Sequence, residues 1–127
     1  MIRFAIRRVY EAPEAHDGTR ILVDRLWPRG ISREKARIDL WLKDIAPSNA
    51  LRKQFQGHPA GCHPDDGHPE DWETFRAAYF VELESDTARK AAAVIFESRK
   101  TGPVTLLYAA RDEQKNNAVA LRMWLER

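Results

Sequence analysis

The sequence contains a single cysteine, Cys62, so no disulfide can form within the chain. It has little net charge, because 21 Lys and Arg residues nearly balance 19 Asp and Glu residues. No apolar run approaches the ~20 residues that cross a bilayer. The opening MIRFAIRR interrupts its apolar residues with arginines, which is unlike a signal peptide. These absences predict a cytoplasmic protein without membrane association or a strong general attraction to polyanions.

Recognisable cofactor motifs are also missing. The sequence has no Walker loop, no GxGxxG and no GxSxG, and we predict no cofactor. Residues 58–68 hold the zinc-ligand types His58, Cys62, His63 and His68, but their spacing matches no zinc finger or ribbon. Because this segment is rich in Pro and Gly, we expect an exposed loop with no bound metal.

The length and composition predict one globular domain over residues 1–127, since 43% of the residues are hydrophobic and 31% are charged. Alternation of Ile2, Phe4 and Ile6 with Arg3, Ala5 and Arg7 indicates a first strand. Short apolar runs within 20–26 and 104–110 indicate two buried strands.

Helices are predicted between these strands. Apolar spacing indicates an imperfect helix after Ser32 that extends to about Ala46, a short helix over 49–56 capped by Ser48, and a long helix over 70–84. Further helices start at Ser85 or Asp86 and at Asn116 or Asn117. The residues expected to be buried are Trp72, Phe75, Leu83, Ile95, Phe96 and Leu121. This order predicts a layered α/β domain with a small, largely parallel central sheet flanked by helices.

Ligands of such sheets collect where the strands end, which directs attention to residues 24–30 and 111–117. Pro28 restricts Trp27, so Arg25 and Arg29 would be held stiffly, as suits a carboxylate or phosphate. Gly30 allows a ligand to approach the backbone closely. The alternative is that Arg25 pairs with Asp24 while Trp27 belongs to the core.

Other polar residues have two interpretations as well. Asp112, Asn116 and Asn117 follow a strand and precede a helix, where they would orient a ligand or serve as turn residues and helix caps. Tyr79 and Glu82 lie three residues apart on one helical side and so are able to reach the same cleft. Tyr79 is equally explained as a core residue with a satisfied hydroxyl.

Four segments together resemble the bacterial YeaO-like proteins, domain-of-unknown-function family 488. They are VDRLWPRG (23–30), WLKDIAPSNALRKQF (41–55), WETFRAAYFVEL (72–83) and VTLLYAARDEQKNNAVAL (104–121). The residues that match the family pattern are Arg25, Trp27, Pro28, Arg29, Gly30, Ser48, Arg52, Tyr79, Glu82, Asp112 and Asn117. The resemblance implies a site formed by these residues, and it adds Ser48 and Arg52 to the ligand-binding set. Longer relatives carry a Cys-His-Arg segment where this chain has residues 113–116, so chemistry resting on that segment is not implied here.

Two functions remain open at this stage. The first is a ligand-binding domain or enzyme acting on a small anionic molecule, with a phosphate, a carboxylate or a nucleotide-like structure. Arg25 and Arg29 would then clamp the anion, and Asp112 or Glu82 would act as acid or base. The alternative is a nucleic-acid-binding or regulatory module, suggested by a basic first third that includes Trp27 and Trp41. A homodimer is also left open, although no heptad pattern indicates one.

Overall fold

The computed structural model describes residues 3–56 and 69–127 of the chain. In chain order the helices and strands there are β1 (Ala5–Arg8), β2 (Thr19–Leu22), β3 (Leu40–Trp41), α1 (Asn49–Gln56), α2 (Pro69–Leu83), α3 (Asp86–Thr101), β4 (Val104–Tyr108) and α4 (Asn117–Leu125). Single-turn 3-10 helices, Ala15–Asp17 and Lys43–Ile45, precede β2 and α1. The loop predicted over 58–68, and the prediction that it holds no metal, lie outside the described residues.

The four strands form one sheet in the order β1-β4-β2-β3, and every neighbouring pair is parallel. The last strand in the chain, β4, therefore lies between the first two. Its Leu106 is opposite Ile6 of β1 on one side and Ile21 of β2 on the other. All five residues of β4 are buried, as expected for a parallel strand covered on both faces. The predicted α/β fold with a parallel central sheet is confirmed.

One face of the sheet carries the helices and the larger core cluster. Ile21 and Val23 point to this face from β2 and its extension, and Leu106 and Tyr108 point to it from β4. Helical side chains that bury themselves against them include Leu51, Phe75, Tyr79, Leu83, Ile95 and Leu121. The predicted burial of Phe75, Leu83, Ile95 and Leu121 is thus confirmed.

Two other residues expected in the core are only half-buried. Trp72 lies in the first half of α2, where its ring stacks on Phe75 with centroids 5.8 Å apart. Phe96 packs edge-on against Phe4 at 6.0 Å. Both rings lie at the edge of the core and stay partly exposed. The prediction that they are buried is therefore only partly correct.

The opposite face of the sheet is covered by an irregular segment, residues 24–38, which we call the cover segment. Leu22 and Leu107 point to this face and bury themselves with Ala36 and Ile38 of the cover segment. Half-buried Trp27 packs against the same cluster. The second core cluster therefore depends on a loop with no helix or strand of its own.

The helix predicted from Ser32 to about Ala46 is wrong. Ser32 begins only one turn, in which its carbonyl accepts a hydrogen bond from the amide of Ala36 at 2.9 Å. Arg37 then adopts a φ of +52°, which ends the turn. Beyond it the backbone pairs with β2, because Asp39 donates to the carbonyl of Arg20 and Leu42 to that of Leu22. Pairing with the sheet outweighs the weak helical spacing of the apolar residues.

The start of each of three helices is marked by a side chain, as predicted. Ser48 Oγ accepts from the amide of Leu51 at 3.1 Å, and Ser85 Oγ accepts from Ala88 at 3.2 Å. Asn116 Oδ1 accepts from Val119 at 2.9 Å. Each oxygen satisfies an amide that has no partner within its own helix.

A buried ion pair lies at the amino-terminal end of the sheet. Arg20 is fully buried, with Nε donating to the carbonyl of Ala36 and Nη1 donating to the carboxylate of Asp17. Burial by itself raises the pKa of Asp17, but the amide of Glu14 and the guanidinium groups of Arg20 and Arg7 outweigh it and lower that pKa overall. The charged form of Asp17 is therefore stabilised in the folded chain.

Replacing Arg20 with Met should lower the free energy of unfolding by about 3 to 5 kcal/mol at neutral pH, because the buried carboxylate of Asp17 loses its main partner. The exposed control Arg89→Met should change it by less than about 0.5 kcal/mol. Since the pKa of Asp17 is lowered, its contribution is complete above the ordinary value of 3.8 and is lost as pH falls through the lowered value. The effect of Arg20→Met should therefore shrink on acidification. Urea unfolding of both variants checks this, and equal effects at neutral pH would contradict it.

Candidate functional site

A cavity of about 350 Å³ opens where β2 and β4 end. It lies between the cover segment, the start of α1, the middle of α2 and the loop before α4. Its ionisable and amide-bearing lining residues are Asp24, Arg25, Arg29, Arg52, Lys115, Asn116 and Asn117. Tyr10, Trp27, Pro28, Pro47 and Phe75 contribute apolar or aromatic walls. The cavity thus lies at the strand ends where the sequence places the site.

Asp24 joins three parts of the chain at the edge of this cavity. Its Oδ2 accepts a hydrogen bond from the amide of Ala109 at 3.0 Å, and its Oδ1 accepts from Nδ2 of Asn117 at 2.9 Å. The same Asn117 nitrogen donates to the carbonyl of Val23 at 3.0 Å. One carboxylate therefore connects the end of β2, the end of β4 and the first residue of α4.

The environment of Asp24 opposes its ionisation. Burial raises the pKa of Asp24, and this effect exceeds the opposing influence of its hydrogen bonds from Asn117 and Ala109 and of the charge of Arg52. Sequence reasoning included Asp24 in the candidate segment 24–30 but gave it no role at the site, naming it only as a partner for Arg25. The available signal was its position, since it follows directly after the buried run Ile21 to Val23.

Arg25 is held in place by backbone carbonyls and makes no ion pair with Asp24. Its Nε donates to the carbonyl of Pro47 at 2.9 Å, and its Nη2 donates to that of Ala46 at 3.2 Å. These bonds tie the cover segment to the entry of α1. They also hold the guanidinium group in one orientation at the cavity wall, as the stiff-loop interpretation predicts.

The indole of Trp27 is fixed in a similar way. Its Nε1 donates to the carbonyl of Ile31 at 2.9 Å, and its ring meets Trp41 edge-on with centroids 5.2 Å apart. Trp41 Nε1 donates in turn to the backbone carbonyl of Asp24 at 2.7 Å. Trp27 therefore packs against the second core cluster and also lines the cavity. Its interpretation as a core residue and its interpretation as a site residue each describe part of its surroundings.

Three further residues expected at the site differ in their position relative to the cavity. They are Arg29, Gly30 and Arg52. Arg29 is exposed at the cavity, and its backbone carbonyl accepts a hydrogen bond from the hydroxyl of Tyr10 at 3.0 Å. Gly30 has a φ of +71° and is not among the lining residues.

The Nε atom of Arg52 is buried, and no acceptor within the described part of the chain lies in hydrogen-bonding distance of it. A buried donor without an acceptor is costly, so this nitrogen is available to a bound molecule.

Three residues expected at the site instead hold the start of α1 to α2. The carboxylate of Glu82 accepts from the amide of Ser48 at 2.8 Å and from its hydroxyl at 2.6 Å. The hydroxyl of Tyr79 donates to the carbonyl of Ile45 at 2.6 Å, and burial raises the pKa of this phenol well above its ordinary value. None of the three lines the cavity.

Asp112 shapes the loop before α4. Its Oδ1 accepts from the amides of Gln114 and Lys115 at 2.8 and 2.9 Å, which is the arrangement of an Asx turn. Asp112 is not among the residues that line the cavity, whereas Lys115 and Asn117 are. The structure therefore brings Arg25, Arg29, Arg52 and Asn117 together, but neither Asp112 nor Glu82 with them.

Within residues 3–56 and 69–127, no three His, Cys, Asp or Glu side chains are grouped closely enough to hold a metal ion. None of the helices in these ranges has the length and apolar character needed to span a membrane.

Comparison with known proteins identifies relatives over nearly the full length. The model of the family DUF488-N3i, described as the inactive DUF488-N3 subclade, matches residues 3–127. The uncharacterized protein YeaO of Escherichia coli (strain K12) is 42% identical over 122 residues, which cover 94% of this chain and 93% of that protein. The uncharacterized proteins Rv3073c of Mycobacterium tuberculosis and Mb3100c of Mycobacterium bovis are each 32% identical over 123 residues, covering 97% of this chain and 93% of theirs. No solved structure gave a significant match.

The substitution Asp24→Asn tests the carboxylate that joins the strand ends. An Asn side chain places an N–H donor against either the Ala109 amide or Asn117 Nδ2, so we expect lower stability. Because the folded pKa of Asp24 is raised, its contribution is complete below the ordinary value of 3.8 and falls as pH rises through the raised value. The stability advantage of the wild type over the variant should therefore be greatest at low pH, as measured by urea unfolding across a pH series. An advantage that grows toward neutral pH would contradict this.

The effects of Phe75 and Arg29 on stability should differ, because Phe75 is buried and Arg29 is exposed. Truncating buried Phe75 to Ala should lower the free energy of unfolding by about 3 to 5 kcal/mol. Arg29→Ala should change it by less than about 0.5 kcal/mol, because the side chain is exposed. Urea unfolding of the two variants side by side makes the comparison. A loss for Arg29→Ala as large as that for Phe75→Ala would identify Arg29 as a structural residue.

Proposed function

The chain belongs to the inactive DUF488-N3 subclade, and we propose that it binds a small anionic molecule in the cavity where β2 and β4 end. The bound group is a phosphate or carboxylate. Among the described residues, four cationic side chains line the cavity, those of Arg25, Arg29, Arg52 and Lys115, together with one carboxylate, that of Asp24. This excess of positive charge favours an anion.

The observation that carries the proposal is the buried Nε of Arg52, which has no acceptor among the described residues. Buried nitrogens of Arg7 and Arg20 also lack an acceptor there, but both guanidinium groups lie beside the carboxylate of Asp17. Arg52 differs because it lines a cavity large enough for a ligand. An anion at this position satisfies the nitrogen and is stabilised by its charge.

Binding without catalysis agrees best with the surroundings of the two candidate acid/base residues. Asp112 accepts two backbone amides in a turn, and Glu82 accepts the amide and hydroxyl of Ser48. Neither lines the cavity. The family description as inactive supports the same conclusion. We place the protein in the cytoplasm on the ground of its single cysteine.

The basic first third of the chain gives no support to the alternative of nucleic-acid binding. Arg7 pairs with Glu11 and Glu14 at 3.1 and 3.2 Å. Arg8 donates to the carbonyls of Ala109 and Ala110, and Arg20 is fully buried. These guanidinium groups bond within the chain, so the clustering of arginines in the sequence overstates the cationic surface.

Titration of the wild type with inorganic phosphate, acetate and phenyl phosphate tests the proposal by thermal shift and calorimetry. At least one anion should raise Tm, since a ligand at 100 times its Kd stabilises by about 2.7 kcal/mol. The substitution Arg52→Met should weaken that binding about 10- to 100-fold, the effect of losing hydrogen bonds to a charged group. The matched control is Lys53→Met, the exposed neighbour on α1 outside the cavity lining, and it should leave binding nearly unchanged. No wild-type binding, or equal binding by the two variants, would refute the proposal.

A further inference from the structure

Apolar and aromatic groups form much of the wall between the cationic side chains of the cavity. Phe75 contributes from α2, and Trp27 and Pro28 contribute from the cover segment. Pro47 and Ala110 complete this part of the lining. A bare inorganic anion would leave these groups in contact with water, whereas a ligand with an apolar part removes them from it.

Contacts within the chain hold the apolar wall in place. Trp27 is held by its hydrogen bond to Ile31 and by its contact with Trp41, and the two prolines restrict their own backbones. Phe75 is only 4% exposed, and its ring centroid lies 5.7 Å from that of Tyr79. A wall held by such contacts needs little ordering when a flat group binds against it, and a planar ring itself loses less conformational freedom there than a flexible chain does.

Two of the cationic side chains of the cavity, Arg25 and Arg52, belong to the same part of the structure, at and just before α1. Arg25 is anchored to the carbonyls of Ala46 and Pro47 just before α1, and Arg52 lies on α1 itself. The hydrogen bonds that Asp24 accepts within the described part of the chain come from Ala109 and Asn117, and none comes from Arg25 or Arg52. The geometry directs the charged group of a ligand to Arg25 and Arg52.

From these observations, and resting on the proposed function, we infer that the cavity takes a single aromatic ring that carries one anionic group. The anion binds Arg52 and Arg25, and the ring packs against Phe75 and the apolar wall. The volume of about 350 Å³ is at the lower end of the range for ligand pockets, and it accommodates one ring and its substituent. A carboxylate and a phosphate satisfy the same guanidinium groups.

The test compares matched ligands on the wild-type protein by calorimetry. Phenyl phosphate against inorganic phosphate, and benzoate against acetate, measure what the ring adds to each kind of anion. Benzyl alcohol measures what the ring contributes without the charge. We expect the ring to tighten binding at least tenfold for one of the two anion types, and benzyl alcohol to bind more weakly than either aromatic anion.

Two variants assign the two parts of the ligand. Phe75→Leu keeps an apolar side chain but removes the ring, and it should reduce the advantage of the aromatic anion about two- to tenfold while changing the affinity for the matched simple anion by less than about twofold. Arg52→Met should weaken aromatic and simple anions alike. Circular dichroism checks that Phe75→Leu is folded, and the wild-type comparison stands without it.

The possible outcomes show whether this inference fails alone or together with the proposed function. If simple and aromatic anions bind the wild type equally and both depend on Arg52, the aromatic inference is overturned and anion binding stands. If benzyl alcohol binds as tightly as the aromatic anions, the site is apolar and the inference fails. If no anion binds, both proposals fall together.

Discussion

The carboxylate of Asp24 sets the geometry of the end of the sheet at which the cavity opens. Its two oxygens hold the amide of Ala109 and the side chain of Asn117, which itself binds the carbonyl of Val23. This junction adds side-chain bonds between the ends of β2 and β4, which also pair through their backbones, and the start of α4. Burial raises the pKa of Asp24, which means that keeping its carboxylate charged inside the folded chain costs free energy. Its hydrogen bonds and the nearby charge of Arg52 offset part of that cost.

The rest of the cavity is held by side chains that bond to backbone rather than to one another. Arg25 binds two carbonyls before α1, and Trp27 and Trp41 each donate to a carbonyl of the cover segment. Bonds of this kind position the loop, and the bonds of Arg25 to carbonyls leave its charge without a carboxylate partner. Under the proposed function, a cavity shaped in this way would bind an anion with little reorganisation.

Local sequence patterns predicted the parts of this structure that local physics decides. The apolar spacing around Phe75 gave a correct helix, and the observed caps Ser85 and Asn116 were each one of two neighbouring candidates in the sequence. The strand ends also located the cavity correctly. The features that could not be predicted depend on contacts between residues distant in the sequence. Glu82 accepts hydrogen bonds from Ser48, 34 positions away, so its carboxylate has a structural role. Sequence reasoning had proposed it as an acid or base. The helix expected after Ser32 failed for the same reason, since pairing with β2 decides that segment.

The cover segment has two tasks at once, because it closes one face of the sheet and forms a wall of the cavity. Its Ala36 and Ile38 bury Leu22 and Leu107, while its Arg25 and Arg29 line the cavity a few residues earlier. In a fold with helices on both faces, a binding loop is free to vary because something else shields the sheet. Here a change of length or composition that suited a new ligand would expose the strands beneath it. A change in the cover segment therefore affects ligand recognition and folding together. Ligand specificity should diverge by single substitutions at the cavity wall rather than by exchange of the whole segment.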